Sequence, residues 1–431
     1  MITIGVGMNA SVLKEVVLEQ NDYMADKDTG IERECLSLIG KYVKLPHVVV
    51  ISGMRRSGKS TLLAQIMRKY YSDGVYYFNF EDERLVDFHL EDFNRLYEAM
   101  MELYPGRKVF FLDEIQSVEG WELFVRRMYD RGFKFFITGS NSSLLGREAG
   151  TRLTGRHLMI NLFPFSFREY LSYRNVMDVD KSLSVATGRS VLKRNFNDYL
   201  EKGGMPEYLK YGERETLERT YDDIIYRDIV ARHDIKEVKI LRELALYLFS
   251  NCSSLFTFNK LKQMLGLGSA NTAKSYVGYL EDSFLAYTSS LFDYSLKRQI
   301  LTPKKIYGVD NGILNLVSFR FSENYGRLLE NLVFIELKRR GREVYYYKTK
   351  NNLEVDLLVR EKNEISGLIQ VCASLLHPDT EKREIRALAA SMGELKLKKG
   401  LILTGDEEKE IKVDSGSIKV KPVYKWLLER D

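Results

Sequence analysis

Cysteine and histidine are scarce in this chain of 431 residues, with three and five copies respectively. The cysteines, Cys35, Cys252 and Cys372, lie far apart and are odd in number, and no two histidines stand at the spacing of metal ligands. This distribution argues against a disulfide framework and against a zinc site, and it is typical of a protein from a reducing compartment.

Long apolar runs and an excess of one charge are missing as well. No apolar stretch approaches the ~18 residues that a membrane helix needs, and the first residues lack the basic-then-apolar pattern of a signal peptide. We therefore expect a soluble cytoplasmic protein that has no membrane partner. Lys and Arg total 65 and Asp and Glu total 60, so the net charge is only +5. Binding to nucleic acid would then require local clusters of basic residues.

The most specific motif is Gly-Met-Arg-Arg-Ser-Gly-Lys-Ser at residues 53–60, which fits the P-loop pattern G-x-x-x-x-G-K-S/T. An apolar run at 48–51 indicates a buried strand before it, and apolar residues at helical spacing follow it. Such a strand, turn and helix place backbone N–H groups and the positive end of a helix dipole around a phosphate chain.

Lys59 is predicted to reach the β- and γ-phosphates of ATP, and the Ser60 hydroxyl to ligate Mg²⁺. The alternative is a glycine-rich turn that binds no ligand. The predicted nucleotide-binding residues are Gly53, Arg55, Arg56, Ser57, Gly58, Lys59, Ser60 and Thr61.

Two acidic strand ends follow the P-loop along the chain. Residues 109–112 form an apolar strand that ends in Asp113 and Glu114, which is the Walker B pattern. Asp113 is predicted to hold Mg²⁺, and Glu114 to polarise the water that attacks the γ-phosphate. Both should lie beside the P-loop, because ligands of open α/β sheets bind at the carboxyl ends of the strands. The other acidic end, Glu81–Glu83, is either a solvated turn or lies near the nucleotide.

The strand at 133–138 ends in polar residues, of which Ser140 or Asn141 is predicted to orient the attacking water, with Thr138 as a further candidate. In the loop that follows, Arg156, or else Arg152, is predicted to neutralise charge on the γ-phosphate, from the same chain or from a neighbouring subunit. The second arrangement requires a homo-oligomer. The alternative is a solvated arginine.

A helix at 256–265, a glycine-bearing turn, a helix at 271–280 and a two-strand segment at 284–294 together predict a winged helix-turn-helix. As a DNA reader, this segment would place its second helix in the major groove and its wing on phosphates. It would equally serve to dock a protein partner. The predicted DNA-binding residues are Asn271, Thr272, Lys274, Ser275, Lys297 and Arg298.

The last part of the chain has the layout of a metal-dependent nuclease: a helix with Glu330, a hairpin with Asp356, and a strand with Gln370. The lysine expected two residues after Gln370 is Cys372, and a neutral thiol cannot replace an ammonium. Losing one such charge costs about 10²–10³ in rate. Cys372 therefore argues against cleavage, unless Lys348 or Lys350 supplies the charge, and favours a scaffold that still binds nucleic acid or a partner.

Five segments together resemble one prokaryotic family. They are Gly-Met-Arg-Arg-Ser-Gly-Lys-Ser, Phe-Leu-Asp-Glu-Ile-Gln, Ile-Thr-Gly-Ser-Asn, Leu-Thr-Gly-Arg and Pro-Phe-Ser-Phe-Arg-Glu-Tyr. The family is that of AAA-type ATPases fused to a winged helix and a restriction-endonuclease-like domain of unassigned role. The resemblance covers roughly residues 30 to 431, and it implies a five-stranded parallel core and nucleotide hydrolysis. The matching positions are Lys59, Ser60, Asp113, Glu114 and Asn141, and Cys372 departs from the pattern.

The predicted fold class is α/β: a P-loop core with a parallel sheet, a helical lid, a winged helix and a C-terminal α/β nuclease-like domain. The predicted boundaries are 1–46 for an N-terminal lead-in, 47–170 for the core, 171–250 for the lid, 251–300 for the winged helix and 301–431 for the last domain. The predicted function is Mg²⁺-dependent ATP hydrolysis coupled to DNA binding or remodelling. The alternatives are a nucleotide-controlled switch that docks a protein, and an ATP-gated nuclease.

Overall fold

The computed structural model describes residues 8–72, 74–142, 153, 155–176, 178–318 and 325–429. The chain divides into two compact units, Met1–Leu162 and Phe163–Asp431. Within the described ranges, no helix combines the length and the apolar composition that crossing a membrane requires. The predicted α/β fold class is confirmed, since the first unit contains a five-stranded parallel sheet and the second contains a separate, larger sheet.

The sheet of the first unit has the strand order β2-β3-β4-β1-β5, and all neighbouring strands run parallel. Its strands are β1 (Val48–Ser52), β2 (Tyr76–Asn79), β3 (Val109–Asp113), β4 (Lys134–Gly139) and β5 (His157–Asn161). Every residue of β1 is buried, as expected for a central parallel strand that is covered on both faces.

Helices cover both faces of this sheet. They are α1 (Ala10–Asp26), α2 (Leu36–Val43), α3 (Lys59–Tyr70), α4 (Asp92–Leu103) and α5 (Trp121–Tyr129), with short 3₁₀ turns at Glu83–Leu85 and Ile115–Ser117. One buried cluster joins α1, α4 and α5 to one face, and a second joins α2 and α3 to the other. The two clusters hold β1 and β3 in place, and these strands carry the P-loop and the Walker B acids at their carboxyl ends.

The second unit begins with helices. They are α6 (Phe167–Tyr173), α7 (Val179–Ser184), α8 (Ala186–Lys202), α9 (Pro206–Tyr211), α10 (Arg214–Asp223) and α11 (Val238–Ser250), with a π-helix at Ile224–Ala231. The break between α8 and α9 is held by Asp310, whose Oδ2 accepts a hydrogen bond of 2.6 Å from the backbone N of Gly204.

The segment predicted to be helix-turn-helix contains β6 (Leu255–Phe256), α12 (Phe258–Leu265), α13 (Ala270–Asp282), β7 (Ala286–Ser289), α14 (Leu296–Leu301) and β8 (Lys304–Gly308). Ser269 caps α13 by accepting a hydrogen bond from the backbone N of Thr272. The predicted two-strand hairpin at 284–294 is wrong, because β7 pairs with β8 in an antiparallel sheet of order β6-β8-β7. Leu291 bridges to Tyr346 instead.

The C-terminal part has a six-stranded sheet of order β13-β14-β12-β11-β10-β9. Its strands are β9 (Glu343–Lys348), β10 (Glu354–Glu361), β11 (Glu364–Val371), β12 (Lys399–Thr404), β13 (Lys409–Val413) and β14 (Gly416–Pro422). The accompanying helices are α15 (Asn311–Val317), α16 (Tyr325–Arg339), α17 (Pro378–Glu394) and α18 (Val423–Leu427). The predicted helix with Glu330, hairpin with Asp356 and strand with Gln370 correspond to α16, to β9 and β10, and to β11.

Candidate functional site

The P-loop connects β1 to α3 by a turn that only glycine fits at two positions. A Cβ atom on Gly53 would lie 2.2 Å from the carbonyl oxygen of Leu162. Gly58 caps α3 with φ = 98°, in the left-handed region that disfavours residues with a Cβ. The turn therefore keeps its backbone close to the end of β5.

Lys59, the first residue of α3, is buried beneath this turn. Its Nζ donates hydrogen bonds of 3.1 and 3.3 Å to the carbonyl oxygens of Gly53 and Met54. It also forms an ion pair of 3.1 Å with Oε1 of Glu114. The ammonium thus lies between the P-loop and the Walker B strand, where the sequence places it.

The hydroxyl of Ser57 is the clearest sign that the P-loop is built for a ligand. Its Oγ is buried and has no hydrogen-bond partner within the described part of the chain. A buried hydroxyl without a partner is costly unless a bound group completes it. The N-terminus of α3 and this hydroxyl are both suited to phosphate oxygens.

Asp113 ends β3 and is completely buried. Its carboxylate accepts hydrogen bonds from the hydroxyls of Ser60, Thr138 and Tyr77, the last at 3.2 Å. Burial raises the pKa of Asp113, and the nearby Glu114 carboxylate adds to this increase. A carboxylate beside the hydroxyl of Ser60 is the ligand set that fits Mg²⁺, which prefers oxygen ligands.

Glu114 follows in a left-handed backbone conformation, with φ = 50°. Its Oε2 accepts hydrogen bonds from the backbone N of Ser140 at 3.1 Å and from Nε2 of Gln116 at 2.6 Å. Burial alone acts to raise the pKa of Glu114, but the charge of Lys59 and the hydrogen bond from Gln116 outweigh it, so the pKa lies below its ordinary value. The carboxylate is therefore ionised and held by three groups.

The polar end of β4 lies beside these acids. The backbone N of Ser140 contacts Glu114, and Thr138 Oγ1 contacts both Asp113 and the backbone N of Glu114. Asn141 follows and is buried, and its role in orienting water stays a prediction.

Arg156 lies at the opposite edge of the sheet. It immediately precedes β5, whose first residues pair with the start of β1, whereas the P-loop follows the end of β1. Its Nη2 lies 3.6 Å from Asp130. The structure therefore does not bring Arg156 to its own P-loop, so a role toward a neighbouring subunit and a solvated arginine are the two alternatives that stay open. Arg152 lies outside the described residues.

One residue of the first acidic run does lie beside the P-loop. Glu81 Oε1 is 2.8 Å from Nη2 of Arg55. Asp82 instead caps the 3₁₀ turn and pairs with Arg84. Of the two alternatives for this run, proximity to the nucleotide site holds for Glu81.

Sequence reasoning missed Arg33, Tyr77 and Gln116. Arg33 is buried, and its Nη1 donates a 2.9 Å hydrogen bond to the P-loop carbonyl of Ser57. Because its partner is a main-chain atom, no sequence motif indicates that Arg33 contacts the P-loop. Gln116 had a weak signal, since it is a polar residue two positions after the Walker B acid.

The predicted DNA-binding residues fall on two helices. Asn271, Lys274 and Ser275 are exposed on α13, whereas Thr272 Oγ1 contacts Ser269 in the helix cap. Lys297 and Arg298 lie on α14, between the paired strands β7 and β8, and Arg298 forms a 2.9 Å ion pair with Asp293. Both groups stay predictions as DNA contacts.

The predicted nuclease residues converge only in part. Glu330 and Asp356 meet, but at the ammonium of Lys305, which the sequence did not predict. Burial, more than the nearby Asp356, raises the pKa of Glu330 to about 8. Lys348 contacts Glu354 at 3.3 Å. Glu354 also contacts Lys305, and whether Lys348 or Lys350 supplies the missing charge stays a prediction.

Gln370 and Cys372 are both buried, and hydrogen bonds hold the Gln370 side chain in place. Gln370 accepts from the backbone N of Asp356 and donates to Glu384 at 2.5 Å. Burial raises the pKa of Cys372 to about 12, so its thiol is neutral.

Comparison with known proteins gives three consecutive family matches. Residues 46–171 match an AAA domain, residues 193–324 match a domain of unknown function (DUF8612), and residues 325–426 match another (DUF4143). Among solved structures, the chain is similar to the Orc1 protein of Aeropyrum pernix in complex with DNA, with 12% identity, a TM-score of 0.30 and coverage of 70% of this chain and 95% of that one. It is also similar to AMPPCP-bound DnaA of Aquifex aeolicus, with 17% identity, a TM-score of 0.27 and coverage of 58% and 89%.

Two relatives match over nearly their whole length. An uncharacterized protein of Haemophilus influenzae is 32% identical over 89% of this chain and 94% of its own length. The uncharacterized protein MJ1544 of Methanocaldococcus jannaschii is 38% identical over 98% of this chain and 96% of its own length. The chain thus belongs to the same family as MJ1544, and its residues 46–171 form an AAA-type P-loop domain.

Proposed function

We propose that the chain binds ATP with Mg²⁺ and hydrolyses it. The observation that carries this proposal is the meeting of Lys59, Asp113 and Glu114 beneath one glycine-rich turn, at 3.1 Å between the ammonium and the Glu114 carboxylate. The unpartnered Ser57 hydroxyl supports it, because a phosphate oxygen would complete its hydrogen bonding.

Each residue has a defined part in this proposal. Lys59 and the P-loop amides hold the phosphates, and Ser60 and Asp113 hold Mg²⁺. The bound ion would neutralise charge that develops on the phosphate oxygens. Glu114, oriented by Ser140 N and Gln116, accepts the proton of the attacking water.

We infer further that hydrolysis is coupled to DNA binding through α13. This helix presents Asn271, Lys274 and Ser275 to solvent on one face, and capping by Ser269 fixes its N-terminus. Short polar side chains and a lysine on an exposed helix are suited to base edges and phosphates in a major groove. Lys297 on α14 adds a second basic position.

The test compares ATP turnover of the full chain with and without duplex DNA, at low and at moderate salt. The double variant Lys274→Glu/Lys297→Glu should lose DNA retention and DNA stimulation, while its basal turnover is unchanged. The matched control is Lys239→Glu on α11, an exposed lysine outside this segment. DNA binding that survives the double variant, or its absence from the wild-type chain at low salt, contradicts the DNA proposal.

One observation favours a second candidate function, the docking of a protein partner. The connection between β7 and β8 exposes four large apolar side chains, with exposed fractions of 88, 68, 63 and 72% for Tyr294, Leu296, Ile300 and Leu301. Apolar groups at this density are typical of protein interfaces rather than of phosphate contacts. The uncharged double variant Leu296→Ser/Ile300→Ser separates the two functions, since it should abolish protein docking and, because it adds no negative charge beside Lys297, leave DNA retention intact.

A further inference from the structure

Three carboxylates surround a single buried ammonium in the second unit. Nζ of Lys305 lies 3.1 Å from Oε1 of Glu330, 3.0 Å from Oε1 of Glu354 and 3.0 Å from Oδ1 of Asp356. The side chain of Lys305 is only 3% exposed. The ammonium donates hydrogen bonds to Glu330 and Asp356, and the Glu354 carboxylate completes the cluster as an ion pair.

Further donors fix the same carboxylates in place. The hydroxyl of Tyr307 donates to Glu330 at 2.8 Å, and the backbone N of Val371 donates to Oδ2 of Asp356 at 3.0 Å. These bonds orient the carboxylate oxygens toward one point, and Lys305 occupies that point.

The cation and its partners come from different elements. Lys305 belongs to β8, which pairs with β6 and β7 in the three-stranded sheet. Glu330 lies on α16, and Glu354 and Asp356 lie on β10 of the six-stranded sheet. The cluster therefore ties the three-stranded sheet to the six-stranded one.

We propose that the Lys305 ammonium is the resident cation of this cluster and takes the place of a divalent metal ion. The C-terminal domain then acts as a scaffold that needs no metal and does not cleave nucleic acid. This proposal does not depend on ATP hydrolysis.

The physical reason is that the two cations exclude each other. Mg²⁺ requires oxygens at 2.0–2.1 Å in a near-octahedral shell that includes water, whereas the oxygens here are spaced for an ammonium. A metal ion beside a buried Lys305 would meet strong repulsion in a poorly screened site. Without Lys305, the three carboxylates would form an oxygen-rich site of the kind that Mg²⁺ and Mn²⁺ prefer.

The test titrates nucleotide-free full-length chain with Mn²⁺ and counts bound ions by electron paramagnetic resonance. Wild type and Asp356→Asn should bind the same number of Mn²⁺ ions. Lys305→Met, which keeps the length of the side chain and removes its charge, should bind one ion more, and Lys305→Met/Asp356→Asn should lose it. Mn²⁺ should also raise the unfolding temperature of Lys305→Met but not that of the double variant.

The matched control is Lys348→Met, which removes a more exposed lysine 3.3 Å from Glu354 and should create no site. An ion in the wild-type chain that Asp356→Asn abolishes overturns the proposal, and this comparison holds even if Lys305→Met fails to fold. A folded Lys305→Met that gains no Asp356-dependent ion overturns it equally.

Discussion

The ammonium of Lys59 lies 3.1 Å from the carboxylate of Glu114. The group assigned to bind phosphate and the group assigned to activate water are therefore paired with each other. A γ-phosphate that approaches Lys59 competes with Glu114 for the same positive charge. Binding of ATP should release the Glu114 carboxylate for its contact with water.

Glu114→Gln should slow ATP turnover by about 10²–10⁴-fold, because an amide cannot accept the proton of the attacking water. The same variant should bind ATP at least as tightly as wild type, because Lys59 no longer has a competing carboxylate. Turnover is measured as phosphate release and affinity by calorimetry.

Glu119→Gln, an exposed acid in the turn that follows, is the control and should leave both quantities unchanged. Normal turnover by Glu114→Gln would mean that the base is another residue. Weaker binding would mean that the Lys59–Glu114 pair does not oppose the nucleotide.

Ser57→Ala should separate stability from ligand binding. The Ser57 hydroxyl is buried without a partner in the described structure, so its removal should leave the free energy of unfolding unchanged or slightly higher. If a phosphate oxygen completes this hydroxyl, ATP affinity should fall by roughly 3- to 10-fold, since one hydrogen bond contributes about 0.5–1.5 kcal/mol. Unchanged affinity would remove Ser57 from the site.

Arg33→Met should weaken ATP binding, because the charged hydrogen bond from Arg33 to Ser57 holds the P-loop backbone. A loss of about 1.4 kcal/mol from this bond corresponds to a roughly tenfold weaker affinity. Arg68→Met is the matched control, since Arg68 also donates to main-chain carbonyls but away from the P-loop. Equal affinities of the two variants would show that Arg33 has no special effect on the loop.

Asp310 should make stability depend on pH. Burial raises its pKa from 3.8 to about 6, although the backbone N–H groups of Gly204, Gly312 and Ile313 oppose this. Between these values the folded chain binds more protons than the unfolded chain, so stability should fall as pH rises from about 4 to about 6, by about 3 kcal/mol.

The test compares urea unfolding of wild type and Asp310→Asn across this range. The difference between their free energies of unfolding should change with pH below 6 and level off above it. Asp178→Asn, at an exposed helix cap, is the control. A difference that does not vary with pH would contradict the assignment.

The nucleotide site was predictable because its parts are local. Each of β1 and β3 is a short apolar run that ends in its motif, and parallel strands bring their carboxyl ends to one edge. Periodicity identifies such strands, but it does not identify which distant strand pairs with them. For this reason both strands of the wing were predicted within residues 284–294. In the structure, β7 pairs with β8, and α14 lies between these two strands in the chain.

Contacts that depend on the whole fold were not predictable. Lys305 meets Glu330 and Asp356 only because three separate elements pack together, and a lysine in an apolar strand gives no sign of a buried partner. For a related reason, the sequence did not show that Arg156 lies away from the P-loop of its own chain. Arg156 follows the other motifs along the chain, but it lies where the parallel strands begin, whereas the P-loop lies where they end.

The most direct test of nucleotide binding at the P-loop is a calorimetric titration of wild type and of Lys59→Met with a non-hydrolysable ATP analogue and Mg²⁺. Lys69→Met is the control, since Lys69 lies on the same helix and pairs with Glu32 at the surface. We expect one bound nucleotide for wild type and for Lys69→Met, and a loss of at least tenfold in affinity for Lys59→Met. Absence of binding to wild type, or equal affinity in all three proteins, would contradict this expectation.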